Sequence, residues 1–345
     1  MAKPEPRRWQ GYALLAAGAL LALGFLLGHY NSAHGHGDQR TRLLTVGGAL
    51  SQKFNADLQH TIDSIEATAW LIHANRELDR DTFQRFAEQA LQSNPDIREL
   101  RWSPRVGHAD RSAFVARMRE QGLADFDVTE ERPGSGKRIV AARRDEYFPV
   151  LYTAPMRMSA LGLDTYSLTD DRWAMHAALE QRKPFASSVQ AHARQPRMMT
   201  IHVPVFAQGE AAGESASAAN LVGYVTGVVT LDRLLTNMRQ EVAELDADLL
   251  LLDSTNKTEQ LLAYLPGRGG RVTSDEAATE YRILKSGISL PVAVAGRQWM
   301  FVMQPRSGAL GEDMLYIGIL LISLLLTGLL VIWIIRGRMD RVTEQ

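Results

Sequence analysis

Two long uncharged segments limit most strongly how this 345-residue chain can fold. The first covers residues 11–30 and the second covers residues 315–335, and neither contains Lys, Arg, Asp or Glu. At a rise of about 1.5 Å per residue, a helix of either length can cross a hydrocarbon core about 30 Å thick. We therefore predict two transmembrane helices, with the rest of the chain forming one large region between them.

Basic residues predict how these two segments are oriented. They lie outside both segments: Lys3, Arg7, Arg8, Arg336, Arg338 and Arg341. By the positive-inside rule both termini are cytoplasmic. Residues 1–10 are then a cytoplasmic N-terminus, residues 336–345 begin a cytoplasmic signalling region, and residues 31–314 lie outside the inner membrane, in the periplasm or the extracellular space. A cleaved signal peptide is the alternative for residues 11–30, but the apolar run is longer than a usual signal core and lacks a good cleavage site.

Composition and motifs exclude several classes of function. The formal net charge is −1 and no basic stripe is present, so nucleic acid is not an expected partner. The absence of Cys removes disulfides and thiolate chemistry. The segment "GSGKR" lacks the first glycine of a phosphate loop, since Glu131 stands there. No hydrolase motif occurs, and a metal site at His34, His36 and Asp38 has little support. We expect no enzyme, no cofactor and no metal in this chain, with an external hydrolase as the weakest hypothesis.

A single helix is predicted to follow the first uncharged segment, over residues 38–78. The segment "HGHGD" marks a short polar break before it. Apolar residues then recur at steps of three and four, as on one stripe of a helix. This stripe contains Leu43, Val46, Leu50, Phe54, Leu58, Ile62, Ile65, Ala69 and Ile72. The stripe can pack on the chain's own external region, or it can pair two subunits in a homodimer, and both can apply at different heights.

After this stalk helix, helical and strand patterns alternate in a way that predicts an α+β fold. We place a membrane-distal unit at residues 79–238 and a smaller, strand-rich membrane-proximal unit at residues 239–306. Predicted helices cover residues 79–95, 108–123 and 168–183, and Asp170 and Asp171 stabilise the first turn of the third. Residues 197–206 and 221–231 are predicted strands, joined by a mobile loop, and four further strands follow within residues 247–305.

The segment "EYFPVLYTAPMRMSALGLDTYS" (residues 146–167) contains the best candidate for a binding site. Asp164 follows an apolar strand. A carboxylate in such surroundings forms a turn, acts in catalysis, caps the helix that starts near Leu168 or anchors a ligand. If it points inward it needs a ligand donor or a protein cation such as Arg157, because an unpartnered buried carboxylate costs several kcal/mol. From spacing alone the turn and the pocket are equally supported. The candidate ligand-binding residues are Tyr147, Leu151, Tyr152, Met156, Leu163, Asp164, Met199, Ile201 and His202.

Several motifs in the central region resemble the CHASE domain, an extracellular sensor of histidine kinases and cyclases that includes the plant cytokinin receptors. The similarity runs from about residue 80 to residue 235. It is carried by "RWSPRV" with Arg111 and Phe114 following, then "DEYFPVLY", "LGLD", "ALEQRKPFASS", "HVPVF" and "GYVTGVVTLDRLL".

This resemblance implies two PAS-like units on a long stalk helix, a ligand in the distal unit and dimers formed through the stalk and the distal unit. In cytokinin-binding members the aspartate that matches Asp164 hydrogen-bonds the adenine ring, and positions near Leu151, Leu163 and His202 line the cavity. Here His202 replaces a threonine of the plant pattern, beside the bulky Met198 and Met199. A ligand other than cytokinin is therefore expected.

These observations lead to a main hypothesis and an alternative. In the first, the external region senses a small molecule, adenine-like or another small metabolite, and transmits occupancy through the second transmembrane helix to a cytoplasmic histidine kinase or diguanylate cyclase beyond residue 345. In the alternative, the region is an extracytoplasmic protein–protein interaction module without a small-molecule ligand.

Overall fold

The computed structural model describes residues 6–75, 78–132, 134–190, 196–207, 220–245, 247–256, 259–267, 287–305, 317–318, 320–329 and 332. Three predictions fall wholly or mainly outside these residues. They are the loop between the strands at 197–206 and 221–231, the first half of the strand pattern at 280–290, and the cytoplasmic segment at 336–345.

The N-terminal helix α1 is continuous over Pro6–Ala74, a length of 69 residues. The predicted polar break at residues 34–38 is therefore wrong, because the backbone stays helical through both glycines. The helix also ends at Ala74, a few residues before the predicted limit at residue 78. In the second uncharged segment residues 320–329 are helical.

Within the described residues, no helix meets the length and hydropathy required to cross a membrane.

The apolar stripe of α1 packs on the chain's own β-sheets. Phe54, Leu58 and Ile65 are each at most 1% exposed and belong to one continuous core. Two glycines allow the helix to approach closely: a Cβ on Gly227 would lie 2.3 Å from the Ile65 side chain, and one on Gly47 would lie 2.6 Å from Met303. Of the two alternatives for the stripe, packing on the chain's own domain is the one observed.

Three α-helices of ten or more residues lie in the described part of the distal unit. The first is capped by Asp79, which accepts a hydrogen bond of 2.7 Å from the backbone N–H of Thr82. The bounds are α2 Arg80–Ser93, α3 Arg111–Glu120 and α4 Thr169–Gln181.

Nine strands lie among the residues of the distal unit that the structure describes. In chain order these are β1 Ile97–Pro104, β2 Val106–Gly107, β3 Thr129–Glu131, β4 Arg138–Val140, β5 Glu146–Tyr147, β6 Tyr152–Ala154, β7 Phe185–Ala186, β8 Met198–Phe206 and β9 Leu221–Thr230. Five of them form one antiparallel sheet in the order β6–β1–β9–β8–β7. The strands β2 and β5 pair with each other, as do β3 and β4.

Two short helices, α5 Leu231–Thr236 and α6 Arg239–Glu244, lead from the distal unit into the proximal unit. The described strands of the proximal unit are β10 Ala247–Asp253, β11 Gln260–Leu265, β12 Ile288–Val294 and β13 Arg297–Pro305. The four strands form an antiparallel sheet in the order β11–β10–β13–β12. Phe54 of α1 meets this sheet, with its ring centroid 5.3 Å from that of Phe301. One helix thus fills the cores of both sheets, and the fold is mixed α+β with a long N-terminal helix.

Candidate functional site

The strand register assigns side chains to the two faces of the distal sheet. Ile201 of β8 lies opposite Gly227 of β9, and His202 lies opposite Thr226. The Gly227 position faces Ile65 of α1, so Ile201 also faces α1. His202 and Thr226 project from the other face, which is covered by α4 and by the chain around residues 146–168. This second face contains most of the buried polar groups of the distal unit.

A hydrogen-bonded cluster centred on His202 lies beneath α4. The His202 ring is fully buried, with its Nε2 3.1 Å from the Asp171 carboxylate and its Nδ1 2.9 Å from the Thr226 hydroxyl. The Thr200 hydroxyl donates a short hydrogen bond to the same carboxylate oxygen of Asp171. Both ring nitrogens of His202 are therefore occupied by protein partners.

The electrostatics of Asp171 show how strongly this cluster favours a charge. Burial raises the pKa of Asp171, but hydrogen bonds from His202 and Thr200 and the nearby Arg101 outweigh it, and the pKa lies below its usual value. The Asp171 side chain is only 5% exposed. A carboxylate this deeply buried stays ionised only because donors surround it.

A second acidic group on the same face is Glu99 of β1, which is 4% exposed. Its carboxylate lies 2.7 Å from Arg101 Nε and accepts a 2.8 Å hydrogen bond from the Thr153 hydroxyl. Arg157 approaches the other oxygen at 3.5 Å. Arg157 is therefore the partner of Glu99, which corrects its suggested role as a partner of Asp164.

Asp164 itself is fully buried at the end of the "LGLD" segment. Its Oδ1 accepts a 2.8 Å hydrogen bond from the backbone N–H of Phe148, and its Oδ2 lies 3.4 Å from Arg144 Nη1. The residue that precedes the first turn of α4 is Leu168, so the interpretation of Asp164 as the cap of that helix is wrong. Asp164 instead lies at the start of a short 3-10 turn over Thr165–Ser167. Arg144 also forms a short ion pair with Glu130, and Asp164 thus shares this cation with a second carboxylate.

Backbone hydrogen bonds to two neighbouring segments hold Asp164 in place. Its own N–H donates to the Thr129 carbonyl at 2.8 Å, and the N–H of Thr165 donates to the Phe148 carbonyl at 3.2 Å. Gly162 makes this path possible, since it has a φ of +74° and a Cβ there would lie 2.1 Å from the Asp127 carbonyl oxygen. The glycine of "LGLD" is therefore required by geometry, and it fixes where the aspartate points.

Burial dominates the titration of Asp164. It raises the pKa of this carboxyl above its usual value, although the N–H groups of Phe148 and Tyr166 and the Arg144 guanidinium lower it. Glu130 acts in the same direction as burial. The protein thus compensates the negative charge of Asp164 less well than that of Asp171, even though both carboxylates are buried.

An apolar cluster separates the Asp164 and His202 regions. Phe148 packs against Tyr224, with ring centroids 5.1 Å apart, and against Tyr166 at 5.3 Å. The Tyr224 hydroxyl donates to the Met175 carbonyl of α4 at 2.9 Å, while its ring meets His202 edge-on at 6.4 Å. Burial raises the pKa of the Tyr224 hydroxyl well above its usual value, so this group stays a neutral donor.

The structure places four of the nine predicted ligand-binding residues around this face. Asp164 and Leu163 lie in the "LGLD" segment, and Tyr147 lies in the nearby strand β5. The Tyr147 hydroxyl accepts from the Arg144 N–H at 3.0 Å, which links it to the cation beside Asp164. His202 lies farther along the sheet, beyond Phe148 and Tyr224.

The other five predicted residues lie elsewhere. Met199 and Ile201 belong to the core against α1, on the opposite face of the sheet. Leu151 and Tyr152 line a separate cleft of about 830 Å³ near the end of α1, and Met156 is 38% exposed. The nine residues therefore do not line one cavity.

Sequence reasoning missed two contributors to this site. Asp171 was explained by the helix dipole, yet it is buried and bonded to His202. A signal existed, because Asp171, Ala174, Met175 and Ala178 follow helical spacing and form the buried side of α4. Arg144 gave no such signal, since its contact with Asp164 depends on how residues 141–165 fold back.

The central region matches a family model described as "CHASE domain" over residues 76–264. Two rice proteins are similar to it. "Probable histidine kinase 4" of Oryza sativa subsp. japonica is 27% identical over 237 residues, covering 66% of this chain and 21% of its own length. "Probable histidine kinase 3" is 24% identical over 249 residues, covering 64% of this chain and 22% of its own length. The chain thus spans about a fifth of these relatives.

Two solved structures align with most of this chain at low sequence identity. An extracellular ligand-binding receptor from Desulfohalobium retbaense aligns with a TM-score of 0.48 at 11% identity, covering 77% of this chain and 40% of its own. The ligand-binding domain of the Pseudomonas aeruginosa amino acid chemoreceptor PctC, in complex with GABA, aligns with a TM-score of 0.46 at 13% identity, covering 76% of this chain and 98% of its own.

Proposed function

Because this chain belongs to the CHASE domain family, we propose that it is the ligand-sensing region of a transmembrane receptor. Residues 11–30 and 315–335 are the proposed membrane spans, and the two sheets lie outside the membrane. Occupancy of the distal unit is transmitted through the second span to a cytoplasmic histidine kinase or diguanylate cyclase.

The observation that carries this proposal is that the protein compensates the charge of the buried Asp164 carboxylate only incompletely. Its contact with Arg144 is 3.4 Å, longer than the 2.7–2.9 Å of a strong charge-assisted hydrogen bond, and Arg144 is shared with Glu130. A buried carboxylate with a weak partner gains stability from any better donor that reaches it. A ligand that presents an N–H group is such a donor.

The proposed ligand site comprises Asp164 and the surrounding residues Leu163, Tyr147 and Phe148. His202 lies on the sheet at the far end of this site. Its chemistry favours a small molecule with an apolar, planar body and N–H donors at one edge, such as an adenine-like heterocycle. The apolar part would replace contacts among Phe148, Tyr166 and Tyr224, and the N–H edge would face Asp164.

A homodimer formed through α1 belongs to the same proposal. The buried stripe of α1 is occupied by the chain's own sheets, so a partner subunit would contact the opposite side of the helix. That side includes Trp70, which is 62% exposed.

Thermal denaturation of the complete chain in detergent micelles tests the sensing proposal. We expect adenine, an N6-substituted adenine or a member of a small-amine panel to raise the unfolding temperature. The shift should disappear in Asp164→Asn, which keeps the shape but loses the charge. It should persist in Asp125→Asn, which changes an exposed carboxylate.

Two results would contradict the proposed site. One is a shift of equal size in Asp164→Asn, which would place the ligand elsewhere. The other is the absence of any shift across the panel together with capture of a specific protein by the external region, which would favour the interaction module.

A further inference from the structure

The two sheets meet at a contact that the sequence did not indicate. The turn between β12 and β13 leaves the proximal sheet and rests on the edge of the distal one. Ala186 of β7 donates a backbone hydrogen bond of 2.9 Å to the Ala295 carbonyl in this turn. A Cβ on Gly296 would lie 2.3 Å from the Phe185 ring, so the turn lies directly on that ring.

The backbone of this turn is shaped for close contact. Ala295 has a φ of +38° and Gly296 has a φ of +81°. Alanine rarely adopts a positive φ, and such conformations persist only where the surroundings hold them. The hydrogen bond to Ala186 and the Phe185 ring are the surroundings that hold it here.

A buried ion pair of the proximal sheet lies beside the same contact. Arg297 is 5% exposed, and its Nε and Nη2 lie 2.9 and 2.6 Å from one carboxylate oxygen of Asp253 on β10. Its guanidinium carbon lies 5.4 Å from the ring centroid of Trp173, within the range of a cation–π interaction. Trp173 belongs to α4, and its ring meets Phe185 edge-on at 5.1 Å.

Helix α4 therefore has two opposed contacts. On its buried side, Asp171 bonds to His202 and the Met175 carbonyl bonds to Tyr224. On its outer side, Trp173 covers Arg297. A movement of α4 away from the distal sheet must change the packing on Arg297, because the two contacts are only two residues apart on one rigid helix.

We propose that α4 couples the face of the distal sheet that holds the Asp171–His202 cluster and the proposed ligand site to the proximal sheet. The coupling runs through Trp173 and the β12–β13 turn. The inference rests on the proposed sensing function. A change in the packing beneath α4 shifts Trp173, alters the Arg297–Asp253 pair and so biases β13, the strand that precedes the helical residues 320–329 in the described part of the chain. Coupling between sites needs an element with two arrangements, and the tryptophan over the buried ion pair is that element.

Hydrogen exchange of the complete chain in detergent micelles tests this coupling without any ligand. Asp171→Asn removes the carboxylate charge from the Asp171–His202 cluster while it keeps the shape of the side chain. We expect it to increase amide exchange in β10 and β13 by roughly 2- to 30-fold, the range that corresponds to typical coupling energies. In a Trp173→Ala background, the same substitution should increase exchange only in the distal strands. A Val140→Ala background, which shortens an exposed side chain of β4, should behave as the unmodified chain does.

The coupling is refuted if Asp171→Asn leaves exchange in β10 and β13 unchanged, or if its effect there survives Trp173→Ala. If Trp173→Ala does not fold, Trp173→Leu replaces it, because leucine retains apolar contact with Phe185 but offers no aromatic face to Arg297. A failed ligand screen does not affect this result, so failure of the sensing proposal and failure of the coupling are distinguishable.

Discussion

The Asp171–His202 pair should be a major source of stability for the distal unit. Replacing His202 with leucine leaves the buried Asp171 carboxylate with only the Thr200 hydroxyl among its present side-chain hydrogen-bond partners. Removing a hydrogen-bond partner of a buried charge typically costs about 3–5 kcal/mol, because the remaining carboxylate is then poorly compensated. For a unit of this size, that corresponds to a decrease in melting temperature of roughly 6–20 °C.

Urea unfolding of the complete chain, followed by far-ultraviolet circular dichroism, measures this loss. A matched control is available on the same helix: His176 lies 3.4 Å from Glu180, but both side chains are more than half exposed. An exposed pair contributes about 0–1 kcal/mol, so His176→Leu should change stability little.

A double substitution gives the sharper result. When Asp171 and His202 are both replaced by leucine, no buried charge remains without a partner, and the loss should be clearly smaller than the sum of the two single losses. If the two losses add to within about 0.5 kcal/mol, the residues are not energetically coupled and the assignment of the pair is refuted.

Two further predictions concern acid stability and the "LGLD" turn. The folded pKa of Asp171 lies below its usual value of about 3.9, so its contribution to folding stability is present above about pH 4 and is lost as the pH falls through the lower folded value. Asp171→Asn should therefore flatten the acid limb of a pH–stability curve. An unchanged acid limb would contradict this prediction. Gly162→Ala should destabilise the fold by about 1–3 kcal/mol in urea unfolding, clearly more than Gly122→Ala, which shares a positive φ but has no atom within 4 Å of the new Cβ; equal losses would show that the Asp127 contact is unimportant.

Periodicity predicted the helical face of α1 well, because one stripe of apolar residues determines which side is buried. It could not identify the partner of that face, since a subunit seam and an intramolecular core use the same spacing. The structure assigns the stripe to both sheets of the same chain. The predicted break at "HGHGD" failed because glycine weakens a helix only by about 1 kcal/mol per residue, which a long helix tolerates.

The site was only partly predictable for a different reason. Alternation along β8 places His202 and Ile201 on opposite faces of the sheet, but it does not say which helix covers which face. The partner of His202 lies 31 residues away in sequence, and Arg144 reaches Asp164 only because the intervening chain folds back. Contacts of this kind depend on tertiary geometry, which local patterns do not contain.

The shared use of α1 also affects how the protein can be divided. The residues matched by the family model begin at residue 76, just after α1 ends, and stop at residue 264, before β12 and β13. A fragment with those limits would expose the sheet surfaces that Phe54, Leu58 and Ile65 now cover, and it would lose two of the four proximal strands. The region that the family model matches is therefore smaller than the packed unit that α1 and the two sheets form. A recombinant fragment intended for crystallisation or ligand screening should begin well within α1 and continue through Pro305.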